Sequence, residues 1–500
     1  MLRFGTAGLR GPLRDGPDGM NVDTVSRATS GVVGWLTERC LGGATVVVGR
    51  DARHGSAEFA TATAEVFAAA GFPVTLLPEP VPTPVLAFAV RALSAVAGVQ
   101  ITASHNPATD NGYKLYLDGG SQLIAPADAE IERCIAAVIE PVARAEVEPA
   151  AATSTDLVRG YLDRIRALPG LIGGIGGRAP VRIALTPLHG VGGELASAAL
   201  EAAGFTDVHV VDEQYAPDPE FPTVAFPNPE EPGATDLLIA LAERVEADLA
   251  IALDPDADRC AIGIPTPDGW RMLRGDETGV LLGDCVLRTA APDALVATTI
   301  VSSRLLSKLA VARGGQYAET LTGFKWLARA GEGLVYAYEE AIGHCVDPTT
   351  VRDKDGISAA VLAADLVARL KAEGRGLLDE LDDYAVEFGV HAGDQVSVRL
   401  DSAAAAAEAV ERIRARPPDD IAGESVKYVD LSKARGRMRT DALIFEGAST
   451  RLVIRPSGTE PKLKCYLEVT APVATRDELP SARALARARL AELREYCERL

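Results

Sequence analysis

The sequence predicts an α/β fold built from several layered units. The chain has 500 residues, more than one hydrophobic core accommodates, so length alone suggests three or four domains. Short apolar runs alternate with Gly- or Asp-rich loops and with Ala/Leu-rich helical stretches. The residues with chemistry fall in loops at strand ends, where α/β sheets place their ligands.

Taken in order, "ATVVVGRD" (44–51) reads as a buried strand and "SAEFATATAEVFAAAG" (56–71) as a helix ended by Gly71. "VRIALTPLHGVGGELASAALEAAGF" (181–205) repeats strand, loop and helix. "ADLAIALDPDADRCAIGI" (247–264) reads strand, loop, strand, and "AAAAAEAVERIRARPPDD" (403–420) is a helix stopped by prolines. Three stretches read as boundaries: "LPGLIGGIGGRAP" (168–180), "TAAPDA" (289–294) and "LLDELDDYAVEFGVHAG" (377–393). No short fixed repeat is present, which argues against a solenoid.

Composition narrows the function. Hydrophobic residues make up 47% and charged residues 24%, an ordinary globular balance. No run of 18 apolar residues exists, so no membrane span is expected. The start "MLRFGTAGLRG" has no apolar signal core, and a cytoplasmic protein is expected. Seven cysteines stand singly with no CxxC pair, which predicts reduced thiols and neither a disulfide framework nor a zinc site. The net charge of −20 argues against nucleic acid or an acidic membrane as partner. Any anion site must then be a local cluster of cations and backbone amides.

Three motifs carry chemistry. "TASHNPATDNGYK" (102–114) sets Ser104 beside His105, with Lys114 ten residues after the serine. A hydrolase elbow needs G-x-S-x-G, which is absent. Adjacent side chains on an extended segment face opposite ways, so His105 is expected to be a poor base for Ser104. Alone, this stretch reads as a turn capped by its side chains. "DPDADR" (254–259) places Asp254, Asp256 and Asp258 at alternate positions after an apolar strand. Three carboxylates together repel unless a hard cation neutralises them, although a solvated acidic turn also fits. "RPSGTEPKLK" (455–464) combines a guanidinium, hydroxyls, a glycine and lysines, a set that suits a phosphate dianion. "TLTGFKW" (320–326) and "YEEAIGH" (338–344) add polar groups suited to sugar hydroxyls.

In their order, "FGTAGLRG" (4–11), "TASHNPATDNGYK", "DPDADR", "TGFKW", "YEEAIGH" and "RPSGTEPKLK" resemble the α-D-phosphohexomutase family over nearly the whole chain. The opening and "RPSGTEPK" most resemble its phosphoglucomutase-2-like and bacterial phosphoglucomutase/phosphomannomutase branch. The resemblance implies four domains around a central cleft: three related α/β domains with mixed sheets and a smaller C-terminal α+β domain. The expected divisions are 1–170 bearing the phosphoserine, 178–290 the metal, 291–378 the sugar loop and 384–500 the phosphate loop. Ser104 would carry the phosphoryl group, and Asp254, Asp256, Asp258 and Ser104 would hold Mg2+. Arg10, Lys114 and Arg259 would flank the phosphate, with His105 beside it. Gly323, Phe324 and Glu339 would touch the sugar. Arg455, Ser457, Gly458, Thr459 and Lys464 would grip the non-reacting phosphate, and Lys325 or His344 would act as base.

The implied reaction moves phosphate between positions 1 and 6 of a hexose phosphate through a hexose 1,6-bisphosphate. Glucose 1-phosphate is the first expectation, then mannose 1-phosphate, then a pentose phosphate. A metal-dependent sugar phosphatase and a non-catalytic sugar-phosphate sensor are the competing classes. The expected partner is a small sugar phosphate, with neither nucleic acid nor membrane, on a monomer or homodimer. One departure stands out: where the family's sugar loop reads Glu-x-Ser, this chain has Ala341.

Overall fold

The computed structural model describes residue 2 and residues 8–117, 119–139, 141–173, 177–457 and 462–500. Four principal sheets form along the chain. The first runs Leu9–Pro12, Asp110–Leu117, Ala97–Ile101, Val46–Arg50, Val74–Leu76. The second runs Gly269–Met272, Cys260–Thr266, Leu249–Leu253, Arg182–Thr186, Asp207–Val210. The third runs Gln316–Thr320, Leu295–Thr299, Leu334–Glu339, Gly343–Cys345.

These three sheets repeat one topology. In each, the first strand of the repeat lies between two parallel neighbours, and the next strand in sequence after the parallel set returns antiparallel. The reversing loops are residues 102–109, 254–259 and 340–342, so the serine, acidic and sugar motifs occupy the same place in three copies. The strands feeding these loops are mostly apolar; Ala97–Ile101 and Leu249–Leu253 are buried at every residue, as expected of strands covered on both faces.

The fourth sheet is wholly antiparallel: Val390–Arg399, Lys462–Ala471, Thr450–Pro456, Leu443–Glu446, Lys427–Asp430. Helices Ala403–Ala415 and Leu479–Glu498 accompany it. Among the described residues, no helix is long and apolar enough to cross a membrane.

Packing joins the first three units more tightly than the fourth. One continuous core runs from Val47 to Tyr384. Its centre is helix Gly356–Ala372, apolar on nearly every side and therefore buried along almost its whole length. Asp355 caps this helix by accepting from the Ile357 and Ser358 amides, and also accepts from Tyr161 across the unit boundary. The fourth unit has its own core from Ala385 to Cys497. It meets the third through a smaller apolar seam that includes Ile300, Val301 and Leu321 against Leu431, Ile444 and Tyr466.

Candidate active site

Ser104 sits in a left-handed backbone conformation, φ +54°, in the first unit's reversing loop. Non-glycine residues adopt this only when their surroundings impose it. The turn corrects the expectation of an extended segment: Ser104 Oγ lies 3.3 Å from His105 Nδ1, so the neighbouring side chains meet rather than diverge. The same Oγ donates to Asp254 Oδ2 at 2.8 Å.

Arg53 imposes the turn. Its guanidinium donates to the carbonyls of Ser104 and Asn106, both at 2.6 Å, and of Pro107 at 2.7 Å and Asp110 at 3.2 Å. Asp51 holds the arginine from behind at 3.3 Å. Arg53→Ala leaves these carbonyls and the Asp51 carboxylate buried without their cation. Losing one partner of a buried pair costs about 3–5 kcal/mol. A clear drop in Tm and a fall in kcat of roughly 100-fold are expected, from displacement of the serine. Calorimetry and steady-state kinetics check both; an active variant of unchanged Tm would contradict the role.

The second unit's loop brings Asp254, Asp256 and Asp258 together. All three are 0% exposed, with donor atoms within 4.8 Å of one another. The loop turns at Ala257, φ +55°, and presses on Gly190, where a Cβ would come within 2.3 Å of the Pro255 Cα. Only glycine permits that approach. Lys114 Nζ donates to Asp256 Oδ2 at 2.5 Å and Asp258 Oδ2 at 2.8 Å, across the unit boundary. Thr83 also donates to Asp256. Burial and the neighbouring Asp256 and Asp258 hold the Asp254 carboxyl well above the usual range. Lys114 overcomes burial and holds Asp256 below that range.

The third unit closes on this loop. The Cys260 amide donates to the Ile342 carbonyl at 3.0 Å, and Arg259 and Gly343 form an isolated antiparallel bridge. Lys354 Nζ lies 3.3 Å from Asp258 Oδ2 and 4.0 Å from Glu339 Oε1, linking the acidic loop to the sugar loop. It reaches there because Gly343 has no side chain: a Cβ would meet Lys354 Cδ at 2.4 Å. Phe324 lies beneath, with Lys354 Nζ 5.4 Å from its ring centre, and Gly323 turns the chain into that residue at φ +108°. Half-buried Arg10, opposite Gly112 on the first sheet's edge, feels both Asp256 and Asp258.

Two expected bases lie elsewhere. His344 shares a face with its partner Tyr338, opposite to the face holding Glu339 and Gly343. It is fully buried, 3.2 Å from the Tyr336 hydroxyl, and burial pushes its pKa to about 3. Lys325 Nζ stands 5.8 Å from the Trp326 ring centre; burial lowers its pKa, and the charges acting on it are Asp128 and Arg329. Glu340 turns away from the sugar position and accepts from Thr299 and Ser302 at 3.1 and 3.2 Å.

The fourth unit contributes Arg455, whose Nη2 lies 3.4 Å from the Tyr466 hydroxyl, and Lys464, its register partner. The Ser457 amide closes the turn onto the Lys462 carbonyl at 2.8 Å. Tyr466 reaches the sugar loop: burial, then Glu340, pushes its phenol up to about 12. Gly458 and Thr459 lie outside the described residues, as do residues 4–7 of the first motif. Arg53, Thr83 and Lys354 belong to none of the sequence motifs. Arg53 had a faint signal in "GRDARHG", a basic residue just after a buried strand; the other two had none.

Three copies of one mixed-sheet unit converging with a fourth on a serine, a carboxylate triad and a ring of cations define a phosphomutase, an intramolecular phosphotransferase. The chain belongs to the phosphoglucomutase/phosphomannomutase family: its α/β/α domains I, II and III match residues 1–141, 159–266 and 274–384, and its C-terminal domain matches 396–485. The "Probable phosphomannomutase" of Haemophilus influenzae is 40% identical over 466 residues, covering 90% of this chain and 93% of that protein. Human "Phosphopentomutase" is 34% identical, covering 95% of this chain and 86% of its own. A phosphoglucomutase/phosphomannomutase family protein from Burkholderia thailandensis has the same fold, with 22% identity, TM-score 0.73 and coverage of 96% and 97% of the two chains.

Proposed function

We propose that the chain moves a phosphoryl group between the anomeric and terminal hydroxyls of an aldose phosphate, with Ser104 as carrier. The observation that supports this most is the contact of Ser104 Oγ with Asp254, on a strained turn, beside carboxylates with ligand capacity to spare. Asp256 Oδ1 and Asp258 Oδ1 are buried and have no hydrogen-bond partner among the described residues. Such oxygens suit a hard cation, so Asp254, Asp256, Asp258 and Ser104 would hold Mg2+. Mg2+ supplies charge withdrawal from the phosphoserine oxygens.

The chain's own groups do the rest. Lys114, Arg10 and Arg259 offset negative charge on the phosphoryl oxygens, the main demand of this chemistry. Glu339 accepts from sugar hydroxyls, and Lys354 holds it in place. His105 Nδ1, 3.3 Å from Ser104 Oγ, can exchange a proton at the site: burial and then Arg259 hold its imidazole neutral. Arg455, Ser457 and Lys464 grip the non-reacting phosphate while the hexose 1,6-bisphosphate turns over. The lighter seam behind the fourth unit suits a clamp that must release it.

Glucose 1-phosphate is the first substrate and mannose 1-phosphate the second. A pentose phosphate is an alternative with a specific support: Glu340, the second glutamate of "YEEAIGH", is committed to Thr299 and Ser302 and so leaves one fewer acceptor for a hexose hydroxyl. Relatives named phosphopentomutase point the same way. Steady-state kcat/KM on 1-phosphates of glucose, mannose, ribose and deoxyribose, with Mg2+ and glucose 1,6-bisphosphate, decides it. Glucose 1-phosphate is expected to lead. A pentose ahead of both hexoses replaces the substrate, and phosphate release to water without isomerisation replaces the mutase by a phosphatase.

A further inference from the structure

A cavity of about 320 Å3 lies behind the catalytic cleft, at the junction of the third and fourth units. That is within the size range of small-molecule sites. Its two walls come from different units of the chain. One bears Arg271 and Arg274, at the start of helix Gly275–Leu287; the other bears Arg483 and Arg487, on helix Leu479–Glu498. Four arginines around one cavity are conspicuous on a chain of net charge −20.

The acids nearby do not use up this charge. Asp276 is engaged by the Ser303 amide at 2.7 Å and the Tyr338 hydroxyl at 3.0 Å. Glu277 takes Arg271 at 3.0 Å, and Asp382 takes Arg483. Among the described residues the side chains of Arg274 and Arg487 make no hydrogen bond and no ion pair within 4 Å, and Arg274 acts on buried Asp276 only at longer range. Arg274 lies over Gly393, where a Cβ would come within 3.1 Å of its Nη2, so this glycine makes room for the guanidinium. Between the cationic walls the lining is apolar, with Val280, Leu305 and Leu490.

We infer that this cavity binds a phosphate-bearing metabolite with a flat apolar body, of the nucleoside diphosphate class. The phosphates would bridge Arg274 and Arg487 across the two walls, since guanidinium and phosphate match in geometry as well as charge. The apolar body would lie on Val280 and Leu490. The site is also placed to act on the clamp. Gly389, φ +88°, joins helix Leu377–Phe388 to strand Val390–Arg399, and it lines the same cavity. An occupant touching both walls sets the spacing between the third and fourth units across that hinge.

The test is calorimetric titration of the full chain with ADP and, separately, with inorganic pyrophosphate. Wild type is expected to bind ADP more tightly than pyrophosphate. The Arg274→Ala/Arg487→Ala pair should bind ADP roughly 100-fold more weakly, about tenfold for each lost charge-assisted contact. Arg455→Ala, altered in the catalytic cleft, should bind ADP as wild type does. Where the double variant does not fold, Arg487→Glu alone, an exposed change at an unpartnered side chain, should weaken ADP binding at least tenfold. Equal affinity in wild type and double variant, loss of ADP binding in Arg455→Ala only, or no ADP binding at millimolar concentration overturns the proposal. Pyrophosphate binding as tightly as ADP overturns the apolar half of it.

Discussion

Ser104→Ala is expected to abolish mutase turnover, with kcat falling at least about 10³–10⁴-fold, because the covalent carrier is lost and water has no substitute for it. The fold should survive. The substitution removes a hydrogen bond to Asp254, worth roughly 1.5–3 kcal/mol at most, and a longer 3.3 Å contact with His105. Arg53 still holds the loop through backbone carbonyls that the substitution does not touch. Activity and stability should therefore separate: near-zero turnover with a Tm lowered by only a few degrees. Peptide mass spectrometry after incubation with glucose 1,6-bisphosphate should find one phosphoryl group on the 102–114 segment of wild type and none there in the variant. Near-normal turnover by Ser104→Ala would remove the serine from the mechanism.

Asp256→Asn should lower kcat by roughly 10³-fold, since it removes a ligand charge from the triad and turns an amide toward the Lys114 ammonium. EDTA should inactivate the wild type to a similar degree and Mg2+ restore it. Chelation is expected to leave the fold in place. Lys114 and Lys354 already pair with Asp256 and Asp258 from two other units, and burial beside those carboxylates holds Asp254 well above the usual range, so the loop does not carry three unpaired charges in the absence of a metal. Thermal unfolding with and without EDTA, beside the activity assay, reads both. Full activity after thorough chelation would contradict the metal, and unfolding by EDTA would show that the lysines do not neutralise the site.

The chemical groups at the centre of the cleft were legible because each occurs in a local motif. Ser104 beside His105, the alternating aspartates and the Arg455 loop are short patterns in loops after apolar runs, and apolar runs are read by periodicity. The Lys354 side chain lies in "RDKDG", an unremarkable charged stretch, and its meaning comes only from Gly343 leaving room for it to reach Asp258 and Glu339. His344 fails in the opposite sense. It sits inside a site motif, but strand alternation turns it to the core while Glu339 faces the other way. Which face a residue takes depends on register, and register is set by pairing partners elsewhere in the chain.

The sequence by itself determined the strands and helices with clear periodicity, the loops with chemistry and the family. Those follow from local periodicity, from turn residues and from motifs a few residues long. The tertiary structure decided how the three related units are wired, with the strand-loop-strand segments from 97, 249 and 334 onward each reversing at the loop that carries a motif. It also decided that Ser104 takes a left-handed turn under four backbone carbonyl contacts from Arg53, rather than the extended form that would part it from His105. The physical reason is the same in both cases. Burying a charge requires partners that satisfy it, and for Arg53, Lys114 and Lys354 most of those partners lie tens to hundreds of residues away, where no local pattern reports them.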